Sequence, residues 1–399
     1  MKKFFVSGWY MFNDIKGSLK GVLDNLPYIM ALGIIMGTGA YATVFGALII
    51  SAANLFTRNK KTLIYSATAV LCAVLSAIVV IFKGNLEHLW AVLFIAGIIT
   101  GVIGCFIPKK TILSIPKSIS SGFMTGCLIC ILILCFPLIM GQSTYATFPL
   151  MVISKYNPFS YVNENALICS ITVFVVYHYL TKTNMKFIPK SIISVIIPSI
   201  INLLFNMNLI LSTDRIEFFT PVAKGDFGKT VYVILFGLLV STVMVVQTLS
   251  NLKALGIRNK MKKPVLLIEG ISNTLGAITG TIAGVVSYAS SKEAVQNKSK
   301  NKISEFIIVF ILLICSIFFK NTIGLIPVCA VSAILFIKLY ETIKYNLHSQ
   351  KMKNINSKII FWICLISTVI NIIFGLAVSI VLTFIITVKN KKPKIQIAI

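Results

Sequence analysis

Residues 278–300 read ITGTIAGVVSYASSKEAVQNKSK, and the organisation of the whole chain turns on them. The apolar piece Ala283–Ser291 lies between a Gly- and Thr-rich segment and a charged one. A helix needs about 20 residues to cross a hydrocarbon core, so this piece is too short to span one. It fits a half-helix. In transporters, interrupted helices at matching positions of two halves mark the substrate site near the membrane midplane. By symmetry the partner of this segment is the third apolar run.

Working outward, apolar runs recur from end to end, near 20–36, 39–57, 63–82, 89–107, 115–140, 163–181, 187–211, 230–250, 264–282, 283–291, 304–321, 322–341, 356–372 and 374–389. Charge tests this count. With the N-terminus placed inside, 31 of the 37 Lys and Arg fall in cytoplasmic segments, and only Lys83, Lys155, Arg215, Lys224, Lys229 and Lys320 fall outside. That asymmetry is the positive-inside signature. The expected fold is therefore an all-α polytopic membrane protein with 14 transmembrane segments. Seven is odd, so two similar halves must lie in opposite orientation, a 7+7 inverted repeat with half-helices in segments 3 and 10. The expected organisation is a cytoplasmic N-terminus over 1–19, a first repeat over 20–211, a second over 212–389 and a short cytoplasmic tail over 390–399. Both ends are expected in the cytoplasm of a multi-pass protein of the cell membrane.

Composition agrees: 57% of the 399 residues are apolar, 12% are charged, and the mean hydropathy is +0.92. A soluble domain carries about twice that charge. The formal charge of +26 does not point to nucleic acid, because the basic residues sit in short clusters between apolar runs and no aromatic-rich basic groove accompanies them. The nine cysteines lie mostly within apolar runs and behave as small hydrophobes; Cys127 and Cys130 form a C-x-x-C inside a long apolar helix with no second pair. His88, His178 and His348 have no second ligand in sequence, so no metal and no cofactor is expected. An enzyme is disfavoured too, since there is no acidic metal-binding cluster and no nucleophile beside a histidine.

Several segments then resemble one family, the SulP sulfate and anion permeases. IPKSISSGFMTGCLICIL, from Ile115, is similar to its fifth-segment pattern through Ile115, Pro116, Gly122, Phe123 and Gly126. Asp14, Gly17, Pro27, Met30 and Ala31 resemble its first segment, Gly270, Asn273 and Gly280 its ninth, and Ile326 and Pro327 its twelfth. The resemblance implies core and gate domains, with segments 1–4 and 8–11 in the core. It implies secondary active transport of a small inorganic anion, sulfate-, bicarbonate- or chloride-like, by alternating-access elevator motion, as symporter or exchanger. It also implies a homodimer in the lipid bilayer. The anion would lie between the starts of segments 3 and 10, held by backbone N–H groups and helix dipoles. By position the site falls on Tyr65, Ser66, Ala67, Thr68 and Ala69, and on Gly284, Val285, Val286, Ser287 and Tyr288, with Tyr28 and Leu32 beside it.

The chain departs from the pattern where charge would be expected. Gln247 stands where the family often has a glutamate in the eighth segment, Tyr288 where it has a basic residue, and Ser66 and Ala67 where it has glycine-proline. Many members carry a cytoplasmic STAS domain, and here the transport unit is expected to stand alone. Asp24 reads either as a coupling group or as an i,i+4 partner of Lys20 at the interface. Gln247 reads as substrate contact or as polar glue between helices. Glu269 is expected to be solvated at the interface after Lys262 and Lys263. Gly122 and Gly126 are expected to pack within the protomer. The rival functions are a nucleobase (uracil or xanthine) permease of the same architecture and an uncoupled anion channel.

Overall fold

In the computed structural model the described residues are 15, 17–56, 62–106, 116–142, 162–183, 189–205, 207, 209, 227–257, 261–296, 302–322, 325–349 and 355–391. Ile115 of the fifth-segment motif and the connections carrying Lys155, Arg215 and Lys224 lie outside them. We number the helices α1 (Leu26–Ile35), α2 (Ala40–Asn54), α3 (Ala69–Ile81), α4 (Leu86–Phe106), α5 (Lys117–Ile139), α6 (Glu164–Lys182), α7 (Lys190–Phe205), α8 (Phe227–Ala254), α9 (Lys262–Ile278), α10 (Tyr288–Gln296), α11 (Lys302–Thr322), α12 (Val328–Ser349), α13 (Ile355–Ile370) and α14 (Ile372–Lys391). Each overlaps one apolar run of the sequence. Two short strands, β1 (Tyr65–Ser66) and β2 (Val285–Val286), precede α3 and α10.

Helix boundaries follow local chemistry. A helical stretch over 17–23 breaks at Asp24 and Asn25, because Pro27 in the first turn of α1 has no N–H to give it. Residues 62–68 are extended rather than helical, and α3 begins only after the Thr68 N-cap. The tenth segment also differs from its expected bounds. Its helix runs from Tyr288 to Gln296, so it includes Lys292, and the apolar residues 281–287 ahead of it are extended. Hydropathy placed the segment on its apolar residues, whereas the backbone coils only past the glycine at 284. Leu86–Phe106, Lys117–Ile139 and Thr230–Ala254 meet both the length and the apolarity needed to cross a membrane, and several shorter helices are equally apolar.

The helices pack as two bundles. In one, α4 lies along α8 and α9, while α2 touches α1, α9 and α11; in the other, α5 packs against α12, α13 and α14, and α6 and α7 join through α12. Glycines set the spacing. A Cβ on Gly270 of α9 would lie 2.3 Å from the Gly101 nitrogen of α4, and one on Gly122 of α5 would lie 2.5 Å from the Phe361 carbonyl of α13. Gly126 meets Thr368 in the same way, so the α5 glycines pack inside the chain, against α13. The bundles meet where α3 touches α5 and α14 and where α1 touches α7 and α12. Large apolar side chains face outward on the peripheral helices, among them Leu204, Phe205, Trp362 and Phe384. In lipid that surface carries no hydrophobic penalty.

Candidate functional site

The two extended segments run antiparallel and pair Tyr65 with Val286 and Ser66 with Val285. Bare backbone inside a bilayer must find partners within the protein, since each unmet polar group costs several kcal/mol. Side chains supply them here. Asn273 of α9 donates to the Gly284 carbonyl at 2.7 Å and accepts its N–H at 3.0 Å. Glu269 accepts the Val286 N–H at 2.8 Å, and Asn251 of α8 donates to the Val286 carbonyl at 2.8 Å. The Ser287 N–H donates to the Ile64 carbonyl at 2.9 Å, and the Ile64 N–H donates to Ser291 Oγ at 3.0 Å. Gly284 has φ +87°, and a Cβ there would lie 2.1 Å from the Ser66 carbonyl oxygen. Only glycine permits this crossing.

Beyond the crossing, α3 and α10 begin. Thr68 caps α3 by accepting the Leu71 N–H, and the Ala69 N–H donates to the Tyr28 hydroxyl at 3.3 Å. Gln247 of α8 lies 2.9 Å from Thr68 Oγ1, tying α8 to the start of α3. At the start of α10, Ser287 and Ser290 hydroxyls share a 3.0 Å bond, and Lys292 Nζ sits 5.7 Å from the Tyr288 ring centroid.

Both helix starts line one cavity of about 400 Å³, through Thr68, Ala69 and Val70 on one side and Ser287, Tyr288, Ala289 and Ser290 on the other. Tyr28, Asn25, Gln247 and Asn251 complete the wall on that bundle. The opposite wall comes from α5 and α12, with Lys117, Ser120, Ser121, Lys338 and Tyr345. No aspartate or glutamate is among the described residues that line it. The first turns of α3 and α10, with the helix dipoles behind them, carry positive potential, so this is a cavity suited to a negative solute.

Of the residues singled out in the sequence, Tyr28, Thr68, Ala69, Gln247, Ser287 and Tyr288 meet around this cavity. Leu32, Tyr65, Ser66, Ala67, Val285 and Val286 are buried behind it, at 0–1% exposure, and Gly284 lies in the crossing itself. Tyr65 donates to Asn54, and Asn25 donates to Ser66, so these hydroxyls hold the frame. The offset is two to three residues, the length of the pairing that precedes each helix.

Two sequence expectations about carboxylates change. Glu269 is 0% exposed, not interfacial: α9 turns it inward, where Thr248 donates to it at 2.6 Å in addition to Val286. Asp24 is not at a wet interface: it is 6% exposed and accepts the Ser191 N–H at the start of α7 at 3.0 Å. The Lys338 ammonium donates to the Asp24 carbonyl. Cys127 and Cys130 are buried free thiols, and Cys130 points at the Thr368 carbonyl. The sequence reading missed Lys117, Lys338, Asn25 and Asn251 in the cavity wall. Lys117 and Lys338 looked like ordinary inside-positive residues at segment ends.

Comparison with known proteins gives the same picture. A bicarbonate transporter, BicA from Picosynechococcus sp., is 21% identical over 409 residues, covering 94% of this chain and 70% of the relative. The transmembrane domain of a cyanobacterial BicA superposes with a TM-score of 0.78 at 19% identity, over 93% of this chain and 97% of that one. Murine Slc26a9, an anion transporter solved in the inward-facing state, matches with a TM-score of 0.80 at 16% identity, over 95% and 68% of the two chains. These likenesses show the fold of a helical, multi-pass membrane domain. The sequence profile of the sulfate permease family matches residues 11–367. That match spans nearly all of the chain described above, which therefore belongs to the sulfate permease family of transporters.

Proposed function

We propose that the protein is a secondary transporter of a small inorganic anion, of the sulfate, bicarbonate or chloride kind. One observation carries the reading: the starts of α3 and α10 open into a single cavity whose described wall holds no carboxylate. A transporter must bind its solute weakly enough to release it, and partial charges at two helix starts do so without an ion pair. The named transport activities of the relatives, bicarbonate for one and anions for another, support the class.

In this proposal α1–α4 and α8–α11 form a mobile core, and α5–α7 with α12–α14 a gate, as a 7+7 inverted repeat in which α3 and α10 are the half-helices. Besides the anion cavity, an apolar crevice of about 370 Å³ runs between α3 and α8 on one side and α5 and α14 on the other. A seam this loosely filled suits sliding between bundles. Tyr28, Thr68, Ala69, Gln247, Ser287 and Tyr288 contact the anion; Leu32, Tyr65, Ser66, Ala67, Gly284, Val285 and Val286 hold the helix starts in register. Asp24 takes part in coupling through its bond to Ser191, which joins the two bundles and must break when they slide. Two such units assemble as a dimer, with both termini in the cytoplasm.

Purified protein in proteoliposomes, offered labelled sulfate, bicarbonate, chloride, uracil and xanthine with and without proton and sodium gradients, tests this directly. Saturable counterflow of one or more anions is expected. Uptake of a nucleobase instead would replace the reading with the rival permease, and flux without counterflow would make the protein a channel.

A further inference from the structure

The anion cavity has two walls of different character. On the α1, α3, α8 and α10 side it offers amides, hydroxyls and side-chain amides, and the Lys292 ammonium of α10, not itself part of the lining, sits 5.7 Å from the Tyr288 ring centroid and 5.8 Å from that of Tyr345. On the α5 and α12 side it offers two ammonium groups, Lys117 and Lys338. Lys117 is the first residue of α5 and is exposed. Lys338 is half-buried and its ammonium reaches the Asp24 carbonyl. Glu341, one turn on, lies within electrostatic range of Lys338 and of Lys190, so part of the Lys338 charge is already balanced. Lys117 has no carboxylate beside it in the cavity wall.

These walls belong to different bundles, which meet chiefly across the seam. The cavity residues Lys117, Asn251, Ala254, Thr342 and Asn346 lie at helix ends that adjoin the Lys-rich connections, the cytoplasmic ones by charge sorting. The positive charge on the gate side and the helix-start cradle on the other, with Lys292 behind Tyr288, add up only while the two face each other in this arrangement.

We propose that Lys117, assisted by Lys338, adds formal charge to the anion site from the gate, so that the site binds anions more tightly when open to the cytoplasm than when open to the outside. This rests on the transport reading above and deepens it. A core that slides away keeps its helix dipoles and Lys292 but leaves Lys117 behind, which lowers its affinity and favours release on the far side. The ligand class that exploits this best is an oxyanion able to touch both walls at once.

The test compares initial rates for labelled sulfate and bicarbonate in vesicles of defined orientation. In Lys117→Gln the half-saturating concentration at the cytoplasmic face should rise about tenfold, the scale of one lost charge-assisted contact. At the outer face it should change by less than about twofold. Lys117→Arg should restore the cytoplasmic value, and Lys338→Gln should give a smaller rise of the same sidedness. Raising ionic strength from roughly 0.05 to 0.5 M should weaken cytoplasmic binding in the wild type and much less in the double Gln variant. Equal changes at the two faces, or no change at the cytoplasmic face, overturn the proposal while leaving a working transporter. A wild-type protein that moves none of sulfate, bicarbonate and chloride overturns the transport reading itself, and is told apart by failing before any variant is made.

Discussion

At the residue scale, the crossing at Gly284 is the least forgiving point. Its φ of +87° and the 2.1 Å approach of a virtual Cβ to the Ser66 carbonyl leave no room for a side chain. Gly284→Ala should cost more than about 3 kcal/mol, a backbone clash plus strain, and show in detergent as a large loss of melting temperature or of monodisperse protein. Wild-type stability in that variant would mean the two segments do not cross this closely. Tyr28 gives a subtler case. Its hydroxyl accepts the Ala69 N–H, occupying a donor at the very start of α3. Tyr28→Phe should leave stability within about 1 kcal/mol, as expected for one partly exposed hydrogen bond, and alter anion half-saturation several-fold. A variant unchanged in both would place Tyr28 outside the site.

At the scale of elements, the caps and clamps of the two helix starts decide whether the amides stay aimed at the cavity. Thr68 caps α3 and also meets Gln247, so Thr68→Val removes a cap worth about 1 kcal/mol and cuts the tie to α8. Transport should fall at least about tenfold with membrane abundance preserved, because a frayed first turn no longer presents fixed donors. Uptake assays normalised to surface protein would check this. Glu269 clamps from the other side. It accepts from Val286 and from Thr248, so both of its oxygens face donors. Glu269→Gln can keep the Val286 N–H bond and donate its NH₂ to the Thr248 hydroxyl, which turns to accept it, whereas Glu269→Ala leaves the Val286 N–H buried and unmet. Gln should therefore change stability by less than about 1 kcal/mol and Ala should destabilise by about 1–3 kcal/mol, readable as a lower melting temperature for Ala alone.

For the whole molecule, the proposed transport cycle requires the two bundles to move past each other, and the Asp24–Ser191 contact at 3.0 Å is one of the bonds that joins them. A disulfide there should lock them. With the exposed Cys105 changed to serine, oxidising an Asp24→Cys, Ser191→Cys double variant should stop the transport that its reduced form retains without the Asp24 carboxylate, and reductant should return it to that level. A cross-linked protein that still transports would show that α1 and α7 move as one body.

The chain's own letters were enough for a good deal of this. Helix positions and the break near Gly284 are properties of local hydropathy and single glycines, and each is written in consecutive residues. That the starts of two broken segments come together was legible for the same reason, and Thr68, Ser287 and Tyr288 do line one cavity. What needed the folded structure was the offset that puts Tyr65, Ser66, Val285 and Val286 behind the cavity, the inward turn of Glu269, and the arrival of Lys117 and Lys338 opposite α3 and α10. Those facts depend on contacts between residues as much as about 300 positions apart, such as Lys338 with Asp24. Hydropathy registers how deep a residue sits in the bilayer, but it carries no record of which helix stands across from it.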